Sequence, residues 1–304
     1  MRHTTWLGTF TVLLVVGALA LPATRADESG PRSFDSPEAA TAALVEATRA
    51  HDVDALVALV GTPHARLFKT GDDDVDRQSR VRFADAAGER VRLEAGDDER
   101  TIVHVGYGDW AFPVPLVRRD AGWVFDGAAG HQEVRDRRIG ANEIAANPFC
   151  EAVSAAPVLD RETDHDGDAV LEYARRLVST PGKHDGLWWD TQPGEPASPL
   201  GEVLGVLGRN AFGSGPSAAW MGYTFRLLPS QGRCAPGGPH TYVIAGNMVA
   251  GFAVIATPRT YGDTGIATFL MGPNGVVLQR DYGRNTAACA CRLTVFSPDA
   301  GWIP

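Results

Sequence analysis

Lysine is almost missing from this chain: Lys69 and Lys183 are the only two in 304 residues. Lys and Arg together number 28 against 37 acids, for a formal charge of −9. With no basic stripe to neutralise phosphates, nucleic acid and anionic membrane surfaces are poor partners. Cysteine is scarce, with four residues. No phosphate-cradling loop ending in Gly-Lys-Ser/Thr occurs. Gly213-Ser214-Gly215 lacks the spacing of a nucleophile elbow, which needs Gly two residues either side of Ser. Beyond the N-terminal stretch, no apolar run is long enough to span a bilayer. What remains is 44% hydrophobic and 21% charged, an ordinary globular composition that excludes wholesale disorder. Its length suits two domains.

The N-terminus reads as a secretory signal. Arg2 and His3 precede the uncharged stretch Trp6 to Leu21, and Pro22 to Ala26 end in small residues. That stretch is shorter than the ~20 residues of a spanning helix. Cleavage is expected near Ala26, with retention as an anchor the alternative. The expected location is the periplasm or the extracellular medium.

Cys150, Cys234, Cys289 and Cys291 would then face an oxidising compartment. Pairing Cys289 with Cys291 would close a tight, strained ring. Cys150 and Cys234 are therefore expected to pair with the Cys289/Cys291 couple, in an order left open. A redox centre or zinc site is the alternative, and the zinc spacing is absent.

Ser36-Pro37-Glu38 is a helix start, with a capping hydroxyl, Pro at the first helical position and an acid at the positive helix end. Two short amphipathic helices are predicted, one from there and one through Val53, Leu56, Val57 and Val60, stopped at Gly61. Asp72-Asp73-Asp74 reads as a solvated loop. From Glu89 the period becomes two, and Pro113 and Pro115 confine Trp110–Val117 to an edge or bulge. The fold class is α+β: an N-terminal helix-plus-antiparallel-sheet domain over residues 27–139, after a signal over 1–26. Its element order resembles the cone of the nuclear-transport-factor-2-like fold. Residues 140–304 form the second domain, with a helix predicted over Ala169–Val178 and a short one over Leu200–Leu207. An antiparallel β-meander follows, including a hairpin through Gly272-Pro273-Asn274-Gly275, and Asn285 caps a last helix.

Several phrases recur to a pattern: "F-D-S-P-E-A-A" at Phe34, "W-A-F-P-V-P-L-V-R-R" at Trp110, "R-R-I-G-A-N-E" at Arg137 and "D-G-D-A-V-L-E-Y-A-R-R" at Asp166. With these the chain resembles the exported bacterial family labelled domain of unknown function 2950. The resemblance implies export and a domain order, and supplies no catalytic residue. The second half also resembles the globular domain of type IV pilins and pseudopilins, through "G-Y-T-F-R" and "F-A-V-I-A-T-P". It departs from them in having no apolar helix before Ile144 with which to enter a filament.

One constellation carries metal chemistry. Asp164, Asp166, Asp168 and Glu172 fill positions 1, 3, 5 and 9 of a calcium-loop frame, and Val170 offers its carbonyl at 7. Ala169 stands where the sharp turn prefers Gly, and Arg175 replaces the bidentate Glu at 12. The alternative is an acidic helix cap. His104, on a strand, lacks an obvious acid partner, and His184-Asp185 and His131/Glu133 are acid–His pairs without a nucleophile. Trp188 and Trp189 read as a satellite core or a stacking platform.

No nucleophile, base and oxyanion set converges. The leading expectation is an exported non-enzymatic protein acting in envelope assembly or surface binding, with an envelope or surface protein as partner and a structural calcium ion as candidate cofactor. The alternative is a small-ligand-binding protein or enzyme using the N-terminal cone, lined by Trp110, Trp123 and His104.

Overall fold

The computed structural model describes residues 29–97, 99–160, 169–191, 194, 197–201 and 218–304. The stretch 1–26 expected to be a signal, Asp164, Asp166, Asp168, Gly213-Ser214-Gly215 and all but the start of the expected Leu200–Leu207 helix lie outside the described residues. The protein is α+β, and the chain divides into two compact units after Gly127.

The N-terminal unit begins where Phe34 exchanges two backbone hydrogen bonds with Trp123, at 2.9 and 2.7 Å. Helix α1 (Pro37–Arg49) is capped by the Ser36 hydroxyl, which accepts from the Ala39 amide at 3.1 Å. Asp52 caps α2 (Val53–Val60) in the same way, and Gly61, at φ +86°, ends it. The acid run is not a solvated loop. Asp72 caps and Asp73 opens a 17-residue helix, α3 (Asp73–Glu89). Its apolar stripe is too thin to signal a helix by periodicity, whereas the Asp cap followed by acids in the first turn is a legible start.

Strands β1 (Val91–Ala95), β2 (Arg100–Val105), β3 (Trp110–Ala111), β4 (Leu116–Arg119) and β5 (Gly122–Phe125) form one antiparallel sheet, ordered β1-β2-β4-β5 with β3 also on β2. Pro113 and Pro115 fall between β3 and β4, where no ladder needs their missing N–H groups. Burial alternates along β2, with Thr101, Val103 and Val105 inward. The inner face packs with Leu44, Leu56, Leu116 and Phe125 into one core.

The second unit opens with α4 (Gly127–Asp160), a single helix carrying Pro148 within it. The domain boundary expected at 139/140 thus falls inside this helix. A five-stranded antiparallel sheet follows, ordered β14-β13-β12-β7-β6. Its members are β6 (Ala218–Trp220), β7 (Tyr223–Leu228), β12 (Ala253–Pro258), β13 (Ala267–Met271) and β14 (Val277–Asp281). The short pairs β8 (Ser230–Gln231) with β9 (His240–Thr241) and β10 (Val243–Ile244) with β11 (Asn247–Met248) lie between β7 and β12. The closing helix α5 (Thr286–Arg292) follows Asn285, whose side chain makes no capping bond.

The expected helix over Ala169–Val178 does not form. Val178 bridges Trp188 instead, the Trp188 amide donates to Leu177, and the Tyr173 amide donates to Met248. Ala174, Leu177 and Val178 are buried one by one against the sheet core while Leu171 is half exposed, so tertiary burial overrides the helical spacing.

The phrase at Arg137 has a structural role. Arg138 pairs with Asp263, Asn142 donates to the Thr264 carbonyl at 2.9 Å, and Glu143 Oε1 accepts from the Ile266 and Ala267 amides at 2.7 and 2.9 Å. These bonds clamp α4 to the approach to β13, and Phe149 one turn and a half later packs on Phe225 with ring centroids 4.4 Å apart. Glu143→Ala leaves those amides without their acceptor. The expected cost is about 2 kcal/mol, read as a lower urea midpoint for this unit. An unchanged midpoint would mean that water replaces the carboxylate at no cost.

Candidate functional site

The N-terminal unit encloses a cavity of about 210 Å³ between its helices and the inner face of the sheet. Leu44 of α1, Leu56 of α2, Phe68, and Phe83 of α3 line it, and Trp110 and Phe112 close the sheet side. Phe83, Trp110 and Phe112 form an edge-to-face triangle, with centroids 5.4 to 6.4 Å apart. Val75 and Trp110, each 49% exposed, mark where the cavity meets solvent. A second pocket of about 380 Å³ adjoins it and shares Ser79, Phe83 and Trp110.

The polar lining comes from α3 and the turn before it, with Thr48 of α1. Asp76 is buried, and its two carboxylate oxygens accept from the Thr70 amide at 2.9 Å and the Thr70 hydroxyl at 2.7 Å. This bond pair ties the turn after Phe68 to the first turn of α3. Arg80 lies one helical turn further on. Its Nε is buried without a hydrogen-bond partner, and Arg80 forms no ion pair among the described residues. The Thr48 hydroxyl is spent on the Leu44 carbonyl at 2.7 Å.

His104 and Trp123 are not part of this lining. His104 is paired across the strands with Arg92 and so projects from the outer face of the sheet, opposite Val103 and Val105. There it lies 3.3 Å from Glu94 and 3.5 Å from Asp109, and its Nδ1 is 3.0 Å from the Asp109 carbonyl. Arg92 bonds both carboxylates, and its hydrogen bonds hold the Asp109 carboxyl below its ordinary range despite an opposing effect of desolvation. The acid partners of His104, Glu94 and Asp109, are ten and five residues away on neighbouring segments, which is why the sequence around His104 does not show them. Trp123 packs beside the N-terminal core. Of the three residues expected to line the cone, Trp110 alone does.

Other sequence candidates resolve into structural roles. Asp185 serves Thr180: burial pushes its carboxyl up, and the bonds from the Thr180 amide and hydroxyl, at 2.7 Å each, outweigh that and lower it. Glu133 accepts from Arg137 at 2.7 Å. Trp189 is 5% exposed and stacks on His184 at 4.4 Å, and Trp188 packs on the core, so the pair is a satellite core. Of the calcium-frame residues, Val170 and Glu172 are described. Ala169 adopts φ +66°, the left-handed form the frame wants at that position, while the Glu172 carboxylate accepts from the Met248 amide at 2.6 Å.

Cys150, Cys234, Cys289 and Cys291 are free thiols, so the expected pairing is not present. Cys150 is enclosed among the apolar residues of the α4 face, and that burial pushes its thiol up to about 12, with Glu151 adding to the effect. Cys289 and Cys291 are two apart on α5 and so diverge around the helix. With the thiols reduced, a chromogenic disulfide reagent at pH 8 should titrate Cys234, Cys289 and Cys291 in the native protein and Cys150 only after unfolding. Reaction of Cys150 at the same rate would show that the α4 face opens readily.

No described helix is long and apolar enough to cross a membrane. Neither a curated protein nor a solved structure matches the chain. The model of a family described as "Protein of unknown function (DUF2950)" matches residues 31–304, which takes in both units, the cavity and the α4 clamp. The chain belongs to this family.

Proposed function

We propose that the protein is an exported binding protein whose N-terminal unit receives a small molecule. The observation that carries this reading is the cavity of about 210 Å³, walled by an aromatic triangle and served by a few polar groups at one side. Binding sites have this composition: apolar walls with sparse, placed polar atoms. The outward position of His104 favours binding over acid–base catalysis in the cone. Export rests on the basic, apolar and small-residue order of residues 1–26. The pilin-like likeness of the second unit is supported by a long helix leading into an antiparallel sheet, and suits work at the envelope or surface. Titration calorimetry of the purified chain with phenol and with cyclohexanol tests the cavity. One saturable site per chain, lost in Ser79→Trp, is expected. Silence with both probes, or binding indifferent to that substitution, sinks the reading.

A structural calcium ion at Asp164, Asp166, Asp168, Val170 and Glu172 is a second element of the proposal, favoured by the left-handed Ala169. Calcium should raise the melting temperature of the wild type and leave Asp166→Ala unmoved. An unmoved wild type ends it.

A further inference from the structure

We infer that the ligand of the N-terminal cavity is a small apolar monocarboxylate held by Arg80. This rests on the binding reading above and adds the chemical class. A guanidinium is charged at every accessible pH and carries donors only. Arg80 is part of the cavity wall, with its Nε shielded from water and without a hydrogen-bond partner. A buried donor without an acceptor is unfavourable, and the deficit is removed when an acceptor arrives. The Nε edge of a guanidinium, together with a terminal N–H, presents two parallel donors that match the two oxygens of a carboxylate. Among the described residues Arg80 forms no ion pair, and its Nε has no hydrogen-bond partner.

Asp76 sharpens the choice. It lines the same cavity, and both of its oxygens already accept from Thr70. Its oxygens are thereby engaged in holding the turn and are not spent on Arg80. The body of the ligand lies against Phe83, Trp110 and Phe112, whose ring faces and edges suit a planar or short branched apolar group. Size follows from volume. An apolar cavity of ~150 Å³ accommodates benzene. One of about 210 Å³ therefore admits a ring or short chain plus a carboxylate.

The test compares benzoate, benzamide and benzylamine, which share a body and differ in charge, by calorimetry and by the emission of Trp110 in the purified chain. Benzoate should bind about tenfold or more tighter than benzamide, reflecting a charge-assisted bond, and benzylamine weakest. Arg80→Gln should reduce benzoate to the benzamide level, and a far-ultraviolet spectrum and melting temperature like the wild type's show that the variant folds. Arg80→Lys, which keeps the charge and loses the fork, should fall between the two. Trp110→Phe should remove the emission change and keep the calorimetric signal. Equal affinity for benzoate and benzamide, tighter binding of the amine, or indifference to Arg80→Gln overturns the carboxylate assignment while phenol binding upholds the cavity. Failure of phenol, benzoate and benzamide alike overturns both.

Discussion

Strand alternation is the constraint on which both units depend. Successive side chains of an extended chain point to opposite faces, so a residue's place in the period decides whether it meets the core or its other side. On β2 this turns Val103 and Val105 to the helices and His104 to the outside, where it joins Arg92, Glu94 and Asp109. The same rule, carried across the pairing of Val105 with Trp110, brings that indole to the inner face and into the cavity wall. On β7 it turns Phe225 to Phe149 of α4, while Arg226 reaches the Ala290 and Leu293 carbonyls at the end of α5. A slip of one residue in either register would exchange these roles.

The two units differ at one point: the polar groups of the α4 clamp are satisfied, and those of the N-terminal cavity are not all so. In the second, polar side chains of α4 are consumed by the backbone of the chain before β13. Glu143 accepts two amides there and stands near the Tyr223 hydroxyl, whose ionisation burial disfavours first and Glu143 further. Such a clamp is satisfied and rigid. In the first unit Asp76 is satisfied by Thr70, but the Nε of Arg80 is not. A polar group without a partner beside an aromatic-walled space marks the place where the molecule is incomplete alone.

Much of the fold was legible because its signals are local. The Ser36-Pro37-Glu38 start, the Gly61 stop and the position of the prolines beside Trp110 all stand in the structure. So does the hairpin through Gly275, which adopts φ +73° between β13 and β14. Helix α3 gives no periodic signal because its exposed, charge-rich surface lacks a broad apolar stripe, and its Asp cap is its one local mark. The stretch Ala169–Val178 has helical spacing and is extended, because its amides and carbonyls find partners on Met248 and on residues around Trp188.

The sequence by itself determined the α+β class, the two-unit plan, the capped first helix, the Gly61 stop of the second and the meander, since caps, turn residues and hydrophobic period act within a few residues. Only the tertiary structure decided where the chemistry lies. Arg80, Asp76, Thr70 and Trp110 come from α3, the turn before it and a strand after it, and nothing in their spacing announces a common cavity. Their meeting follows from packing α3 and the turn before it against the sheet, a long-range event that leaves no mark in the local pattern.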